Sequence, residues 1–457
     1  MKKRLSHNIR VLGLLLLLIL LLFVNACGFA AKEPEWVLST PVDGAYYQAV
    51  VMLSKKVPGY VDTARENALR EISTQISVQI DSDIALTETE ANGIPSNDLI
   101  SQIRSSSRNR LNGIQLAGTY QTDKDYWAYY RLSKSEYRFW RNQQKDLSVQ
   151  QAISLLSDFD SATGDIAVGI TALLKALELI VDFTDMDLSC EYKGKQVNLY
   201  NELFNRLQRL PESIKPLYAS QQLAVIAKTR TTHEIPVSIS YLKDNQQYPC
   251  SSFPLAFSFI KGAGDIEKKT ISDTQGAAKL TIRRIADFAT PQQIALSPDK
   301  EYWQSRLENP IVKKLFTQLQ FSPAYLTLLV SRPKAYLEYS FDNSAGSAYK
   351  DILVKKLQDL DLEVVKEKAN ADYYFKVAII SHEGEPLPLL NQHTAKADAY
   401  VELLDVASGK SIYSNNLTNI KSTGNSLAIA RNKSELVAIN EICDKLLFML
   451  VEQHIMN

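Results

Sequence analysis

The sequence predicts a multidomain α+β protein, because segments of helical and of strand periodicity follow one another along 457 residues. A chain of this length suggests about three or four domains. The order of the segments predicts an N-terminal α/β sandwich, a helical hairpin, a β-sandwich and a C-terminal two-layer α/β sandwich.

Residues 1–26 are predicted to be a signal peptide. Basic residues begin the chain, and an apolar run of about 14 residues follows at 11–24. A membrane-spanning helix needs about 20 apolar residues, so the run is too short to be one. It leads into Val24-Asn25-Ala26-Cys27, which resembles a lipobox, the recognition sequence of bacterial lipoprotein processing.

The lipobox resemblance implies that the chain is cut before Cys27, whose thiol is joined to diacylglycerol and whose amino group is acylated, for example with palmitate. Cys27 is therefore the predicted lipidation site, and residues 27–35 are a tether. Ordinary signal cleavage after Ala26 is the alternative. Because Gly28 replaces the Asp that retains enteric lipoproteins at the inner membrane, we expect an outer-membrane anchor facing the periplasm rather than the cell surface.

Composition excludes several classes of protein. Without the four basic residues of the signal, the chain has 47 basic and 51 acidic residues, a net charge of −4, and no polybasic footprint for nucleic acid. Beyond Cys27, the remaining cysteines are Cys190, Cys250 and Cys443. A Cys190–Cys250 disulfide and three buried thiols both remain open. No CxxC pair points to a zinc or redox site.

The first folded region is predicted at 36–145. Residues 46–53 have strand composition, and an apolar stripe at helical spacing follows Pro58-Gly59. From Ile76 the apolar residues alternate with polar ones as far as Leu86, which predicts that the helix leads into a long strand. Two alternating segments, 114–120 and 126–132, predict a hairpin around residues 123–125.

These residues resemble the LPP-twenty bacterial lipoprotein domain. The resemblance rests on an aromatic entry, an ARxxAL-type helix, the start of a QIxVxV strand and a late aromatic strand. The matching residues are Trp36, Asp62-Thr63-Ala64-Arg65-Glu66-Asn67-Ala68-Leu69-Arg70-Glu71-Ile72, Gln75-Ile76-Ser77-Val78 and Tyr126-Trp127-Ala128-Tyr129-Tyr130. The usual glycine-rich end of the first strand is replaced by Ala49-Val50-Val51-Met52. The resemblance implies an assembly or structural role without catalytic residues, and it leaves homo-oligomerisation open.

Residues 146–220 are predicted to be helical, with a hairpin around Gly164-Asp165 that is faintly similar to one tetratricopeptide unit. A repeat array needs about three such units, so we expect a spacer or a small interaction module, and plain core helices rather than a peptide-binding groove. At 221–300, short strands about 10–20 residues apart predict a β-sandwich. There, Ser272-Asp273-Thr274-Gln275-Gly276-Ala277-Ala278 resembles the turn before a core strand in bacterial Ig-like domains.

A connector is predicted at 301–335, helical over 301–325 with a strand at 325–330, and the last domain at 336–457, opening with a strand at 335–341. An amphipathic helix from Tyr349, a strand at 373–380, a hairpin of 395–404 with 411–420 and a terminal helix at 427–451 predict a two-layer α/β sandwich. This pattern resembles small periplasmic domains of curli-secretion and flagellar-assembly lipoproteins. The resemblance is mostly one of architecture.

Few residues suggest chemistry. His382, Glu383, Glu385 and His393 are expected in a polar loop, and their spacing matches no HExxH motif. The acidic group of Asp182, Asp185 and Asp187 fails as a calcium loop, because Cys190 falls where the invariant glycine belongs. We expect it to be a solvated helix terminus. His233 and His454 are expected to be solvated, and the aromatic run at 126–130 to lie half in the core and half on the other strand face.

We therefore expect a lipid-anchored envelope lipoprotein with a structural or assembly role, without catalysis, metal or other cofactor. Its partners would be the membrane, through the lipid, and an envelope protein, with homo-oligomerisation open and no nucleic acid. A surface adhesin and an envelope hydrolase without a linear motif are the alternatives.

Overall fold

The computed structural model describes residues 33–88, 113–229, 232–341, 346–387 and 391–456. The predicted multidomain α+β class is confirmed. The chain forms two compact units, one of residues up to Ile153 together with Leu177–Glu202, the other of Ser154–Ala176 together with the chain from Leu203 onward. The predicted domain boundaries stay predictions. The predicted signal peptide, Cys27 and most of the tether lie outside the described residues, as does a short polar helix expected near Leu99.

The first unit contains a helix packed on a three-stranded antiparallel sheet. A short helix α1 (Glu35–Leu38) precedes strand β1 (Tyr46–Ser54), helix α2 (Tyr60–Glu88), strand β2 (Gln115–Gln121) and strand β3 (Asp125–Ser133). The sheet order is β1-β3-β2, with β3 in the centre. The predicted hairpin of β2 and β3 is thereby confirmed. Small and apolar side chains, fully buried on both layers, form the core: Ala49, Ala64, Ala68, Ile72 and Ala128.

The predicted strand at 76–86 is wrong, because α2 continues without interruption to Glu88. Burial explains the error. Ile76 and Ser77 are both buried, whereas Val78 is 60% exposed, so the alternation does not separate a buried from an exposed face. The Ser77 hydroxyl donates to the Ser73 carbonyl oxygen at 2.9 Å, a contact that suits one helical turn.

Gln75, expected at the start of that strand, instead protects the free edge of β1. Its amide oxygen accepts from the Gln48 backbone N–H at 3.2 Å, and its amide nitrogen donates to the Gln48 carbonyl at 2.7 Å. A side chain from α2 therefore replaces the neighbouring strand that an edge residue lacks.

The next region is mainly helical but also contains strands. Helices α3 (Lys134–Ser161), α4 (Ile166–Ile180) and α5 (Leu199–Ser213) form most of it. The helical prediction over 146–220 missed an antiparallel hairpin of β4 (Ser189–Tyr192) and β5 (Lys195–Asn198), which turns through Lys193 and Gly194 at positive φ.

The sequence predicted that the acidic residues before this hairpin form a solvated helix terminus, which holds for the exposed Asp187 but not for Asp185. Asp185 pairs with Arg141 at 2.8 Å, and both side chains are less than a tenth exposed. Arg141 also donates to the Asp182 carbonyl at 2.9 Å. Burial opposes the charge on Arg141, but the Asp185 carboxylate and the Tyr137 side chain together outweigh it, so the pKa of the guanidinium is raised.

Two five-stranded sheets in the second unit form the predicted β-sandwich. One has the order β12-β10-β14-β15-β7, and the other β11-β13-β8-β6 with β9 beside β8. Their inward positions, among them Ile239, Leu255, Leu280 and Leu296, are buried. The strands are β6 (Ile214–Tyr218), β7 (Gln222–Ile226), β8 (His233–Lys243), β9 (Gln246–Pro249), β10 (Pro254–Lys261), β11 (Gly264–Ile266), β12 (Lys269–Ile271), β13 (Ala277–Ile285), β14 (Gln292–Pro298) and β15 (Ala324–Ser331).

The turn before β13 explains the residues that resemble an Ig-like domain. One carboxylate oxygen of Asp273 accepts from the N–H groups of Gln275 and Ala277 at 2.8 and 2.9 Å. Gly276 has φ +70°, and a Cβ there would lie 2.5 Å from the Ile239 carbonyl oxygen. The Gly276 carbonyl in turn accepts from Ile239 N–H at 2.9 Å, so the turn requires glycine for its conformation and for its close approach to β8.

The predicted connector contains helices α6 (Lys300–Gln304) and α7 (Pro310–Gln318), and then β15, which pairs with β14 and runs parallel to β7. Trp303 of α6 is buried against Phe253 and Phe316. Its indole nitrogen donates to the Ala167 carbonyl of α4 at 3.4 Å. These aromatic contacts pack the connector helices onto the sandwich.

The last domain is the predicted two-layer α/β sandwich. Its mixed sheet has the order β17-β16-β18-β19-β20, and its helices cover one face. The predicted hairpin is confirmed as the antiparallel pair β19 and β20. The elements are β16 (Lys334–Phe341), α8 (Gly346–Asp359), β17 (Glu363–Val365), β18 (Tyr373–Glu383), β19 (His393–Asp405), β20 (Ser411–Gly424), α9 (Leu427–Glu441), a π-helical turn (Ile442–Leu447), α10 (Phe448–Val451) and a second π-helical turn (Glu452–Met456).

None of the helices in the described ranges is both long enough and apolar enough to cross a bilayer.

We expect Gly276→Ala, in the β-sandwich, to lower the free energy of unfolding more than Gly409→Ala, in the C-terminal domain. Both glycines have similar positive φ, but nothing lies within 4 Å of a Cβ at Gly409. In both variants, an alanine in the left-handed conformation therefore costs about 1–2 kcal/mol of stability. Only Gly276→Ala adds a clash with the β8 backbone, about 1–3 kcal/mol more. Denaturant unfolding of the two proteins checks this, and equal losses would refute the close approach.

We expect Arg141→Met to cost about 3–5 kcal/mol of stability, because it leaves the Asp185 carboxylate buried and unpaired. Lys279→Met is the matched control, since Lys279 and Glu234 form an ion pair whose side chains are both 57% exposed. Removing an exposed pair costs less than about 1 kcal/mol. Denaturant unfolding measures the free energy of unfolding of each variant, at the transition of the unit that contains the substituted residue. A loss of stability for Arg141→Met no greater than that for Lys279→Met would show that the Arg141–Asp185 pair is solvated.

Candidate functional site: the outer face of the N-terminal sheet

The first described residues lead directly onto a sheet surface. We call the side of β1, β3 and β2 that faces away from α2 the outer face. In the pairing of β1 with β3, Val50 lies opposite Tyr129 and Met52 opposite Trp127. In the pairing of β2 with β3, Gly118 lies opposite Tyr129. These residues share one face because side chains alternate along a strand.

Aromatic rings cover much of the outer face. Trp36 of α1 stacks on Tyr129 with ring centroids 5.7 Å apart, and Tyr120 lies 5.6 Å from Trp127. Gly118 makes the first contact possible, because even a Cβ there would lie 3.2 Å from the Trp36 ring. Met52 remains 57% exposed. The outer face is thus a layer of amphipathic rings and one thioether, with an apolar surface still open to solvent.

The division of the aromatic run at 126–130 follows the alternation. Tyr126 and Tyr130 are buried on the α2 side, whereas Trp127 and Tyr129 are half-buried on the outer face. The Tyr129 hydroxyl donates to the Gln48 side-chain oxygen at 2.5 Å. Desolvation raises the pKa of Tyr129, and the nearby Arg131 opposes this rise. The phenol therefore stays neutral at physiological pH and holds the ring in place on the sheet.

Lysines border one end of the outer face. Lys55 and Lys56 follow β1, and Lys124 lies in the β2–β3 turn. The Lys55 N–H donates to the Lys124 carbonyl at 2.8 Å, so the two turns lie side by side. Asp123 and Asp125 are also at this end. The rim carries three cations and two carboxylates next to the row that contains Met52 and Trp127.

A second polar cluster lies on the helix-free face of the C-terminal sheet, and sequence reasoning missed it. The Tyr374 hydroxyl donates to Glu338, and Lys368 Nζ lies 3.9 Å from the centre of the Tyr374 ring. Lys376 pairs with Glu402 at 3.5 Å. Desolvation and the hydrogen bond to Glu338 raise the pKa of Tyr374. The cluster is internally paired, which satisfies its charges within the sheet surface.

The sequence-predicted polar residues near His382 are only partly in a loop. His382 and Glu383 belong to β18, contrary to the prediction, and His393 begins β19. His382 Nε2 lies 3.5 Å from Asp398 Oδ2. His454 is exposed beside Tyr413, and burial lowers the pKa of the half-buried His233. Among the described residues, no three His, Cys, Asp or Glu side chains are arranged to hold a metal ion.

The three described cysteines are unpaired thiols, so the structure contains no Cys190–Cys250 disulfide. Cys250 and Cys443 are buried, and Cys190 is half-buried. Burial raises the pKa of Cys250 to about 12 and that of Cys443 to about 11. These thiols act as small core residues rather than as nucleophiles, because their thiolate forms are disfavoured.

We expect the free energy of unfolding to fall as the pH rises above about 9, because the unfolded chain releases thiol protons that the folded chain retains. Cys250 alone should contribute about 1.4 kcal/mol per pH unit between its unfolded and folded pKa values. Cys250→Ala should remove this part of the slope, whatever it costs at pH 7. Denaturant unfolding under reducing conditions at pH 8 to 11 measures the slope, and an unchanged slope would show that Cys250 ionises in the fold.

No family model matches the chain, and no curated protein matches it. Among solved structures, lipoprotein GNA1162 from Neisseria meningitidis is 10% identical, with 25% of this chain and 99% of that chain covered and a TM-score of 0.18. A minor lipoprotein from Acinetobacter baumannii is 13% identical, with 27% and 92% covered and a TM-score of 0.20. The PelC dodecamer from Paraburkholderia phytofirmans is 16% identical, with 25% and 84% covered and a TM-score of 0.19. The structural neighbours thus include bacterial lipoproteins, weakly matched over about a quarter of this chain.

Proposed function

We propose that the protein is a lipid-anchored lipoprotein of the bacterial envelope with a structural or assembly role. The observation that carries this proposal is the short apolar run that ends in Val24-Asn25-Ala26-Cys27, after a basic start. A diacylglycerol on the thiol and an acyl group on the amino terminus of Cys27 would hold the chain stably, whereas one acyl chain binds membranes only marginally.

The described fold supports an anchor at this place. Helix α1 starts at Glu35, eight residues beyond Cys27, so the predicted tether leads directly into a folded unit. Gly28 in place of Asp favours the outer membrane, with the body of the protein in the periplasm. The aromatic outer face and the charged C-terminal sheet face are surfaces through which the protein would engage other components of the envelope.

The proposed role is interactive rather than catalytic. The strongest pKa shifts in the described chain belong to buried tyrosines and cysteines and have desolvation as their first cause. The buried Arg141–Asp185 pair is held among structural contacts. These groups serve packing, so the proposal assigns them no part in catalysis.

We expect Cys27→Ala to abolish lipid attachment and processing. The N-terminal peptide of the wild-type protein should begin at Cys27 and carry the mass of the lipid, whereas the variant should carry none. Cys190→Ala is the control, because this half-buried thiol lies in the folded chain and should leave processing unchanged. Labelled palmitate and mass spectrometry measure both. Wild-type protein that carries no lipid in the cell would contradict the proposal.

The partner can be sought by mild crosslinking in living cells, followed by purification of the tagged protein and identification of what is recovered. Reproducible recovery of one envelope complex would support the assembly role. Recovery of the protein and lipid alone would instead favour a self-assembling coat, an adhesin or a hydrolase with a transient substrate. Protease treatment of intact cells separates the adhesin, because only a surface protein would be degraded.

A further inference from the structure

We propose that the outer face of the N-terminal sheet lies against the surface of the bilayer that holds the lipid anchor. This inference rests on the proposed anchoring at Cys27, and it adds a second, non-covalent contact with the membrane. The contact would orient the N-terminal sheet relative to the lipid, instead of leaving it to move freely on its tether.

The side chains of the outer face have the chemistry of a membrane interface. Tryptophan and tyrosine concentrate at the headgroup level of bilayers, because each ring has an apolar body and a polar tip. Trp36, Tyr120, Trp127 and Tyr129 supply four such rings on one sheet face, and Met52, 57% exposed, adds apolar surface beside Trp127.

The charged rim favours an anionic surface. Lys55, Lys56 and Lys124 come together where the two turns meet, next to the row of Met52 and Trp127. Asp123 and Asp125 leave this end with a net charge of only about +1, so the electrostatic contribution is small. A lysine near an anionic leaflet contributes about 1 kcal/mol, which helps a face that already binds through its rings.

The predicted tether delivers this face to the membrane. Eight residues lie between Cys27 and Trp36, and the nine steps from one to the other span at most about 30 Å when fully extended. Trp36 itself stacks on Tyr129, so the tether ends on the outer face and not elsewhere on the unit. The face is therefore confined to a thin layer next to the bilayer.

Because the tether confines the outer face in this way, a weak contact is sufficient to hold it on the bilayer. A linked second contact forms at the effective concentration that the linker sets, which reaches the millimolar range for short flexible linkers. A face with a few interfacial rings and a net charge near +1 need not bind membranes in free solution. A protein partner or a second copy has no comparable tether to this face, which is why we assign the lipid surface as its occupant.

The test places a solvent-sensitive fluorophore on the outer face of the lipidated protein. Met52→Cys labelled with the dye NBD reports on the face, and Leu217→Cys is the matched control, because Leu217 is equally exposed, at 56%, in the second unit. The purified lipoprotein is reconstituted into vesicles of phosphatidylcholine with a quarter phosphatidylglycerol. We expect the emission at position 52 to shift to shorter wavelength relative to detergent solution, and that at position 217 to stay unchanged.

Two further measurements separate the sources of the signal. Lys124→Gln should weaken the contact by about fivefold, whereas Lys410→Gln, in an exposed turn, should have no effect. Equal responses at positions 52 and 217, or a response at 52 that grows with protein concentration without vesicles, would overturn lipid docking. The second result would identify another copy of the chain as the occupant.

The two failures can be told apart. Lipid on the N-terminal peptide without a shift at position 52 would refute docking and leave the proposed function intact. If Cys27 carries no lipid, the proposed function fails, and docking beside the anchor fails with it, because no tether then confines the outer face to the bilayer.

Discussion

Close packing of α2 on the N-terminal sheet is the constraint from which the surface of that unit follows. Ala64 and Ala68 on the helix and Ala49 and Ala128 on the strands are all fully buried, and their small side chains let the two backbones approach. Tyr126 and Tyr130 are buried beside these alanines on the α2 side. The alternation of side chains along β3 turns Trp127 and Tyr129 to the outer face, where Trp36 covers one of them.

Edge protection completes this arrangement. The Gln75 side chain occupies the hydrogen-bonding groups of Gln48 at the edge of β1, and the Gln48 side chain accepts from Tyr129. One pair of glutamines thus links α2, the strand edge and the outer face. At this position β1 cannot readily pair with a strand of a neighbouring chain.

The periodicity of the sequence predicted the layers well where one face is buried and the other is not. The core strands of the sandwich, the β19–β20 hairpin and the terminal helix were predicted for this reason. The periodicity failed at 76–86. Ser77 is buried there with its hydroxyl bonded to the Ser73 carbonyl within the helix, and a hydrophobic pattern counts such a residue as exposed. It also missed the β4–β5 hairpin, whose four-residue strands are too short to show a period.

The candidate surfaces were harder to predict than the layers. The alternation of 126–130 correctly divided the aromatic run, but only the fold shows that Trp36 joins it over Gly118. The Tyr374 cluster depends on the register of β16, β18 and β19, which places Glu338, Lys376 and Glu402 in one row. Register between distant strands is a tertiary property, and a linear motif cannot express it.

Charge also fixes the joint between the sandwich and the C-terminal domain. Only Arg332 and Pro333 separate β15 from β16. The Asp361 carboxylate accepts from Lys228 at 2.7 Å and from Arg332 at 3.0 Å, and both cations lie over the Phe288 ring. A two-residue linker and a shared carboxylate leave little freedom for the two domains to separate. The sandwich therefore holds the C-terminal domain in a fixed orientation.

The contrast between the two exposed sheet faces explains why only one suits a lipid surface. On the C-terminal face, Lys376 and Glu402 are paired and Glu338 holds Tyr374, so contact with lipid would desolvate charges that gain nothing in return. On the outer face, the charges lie at the rim and the centre consists of rings that prefer the headgroup boundary. Contact of the outer face with a bilayer removes apolar surface from water while the lysines remain solvated. The free-energy cost of this contact is therefore small, because the tether already holds the face near the bilayer.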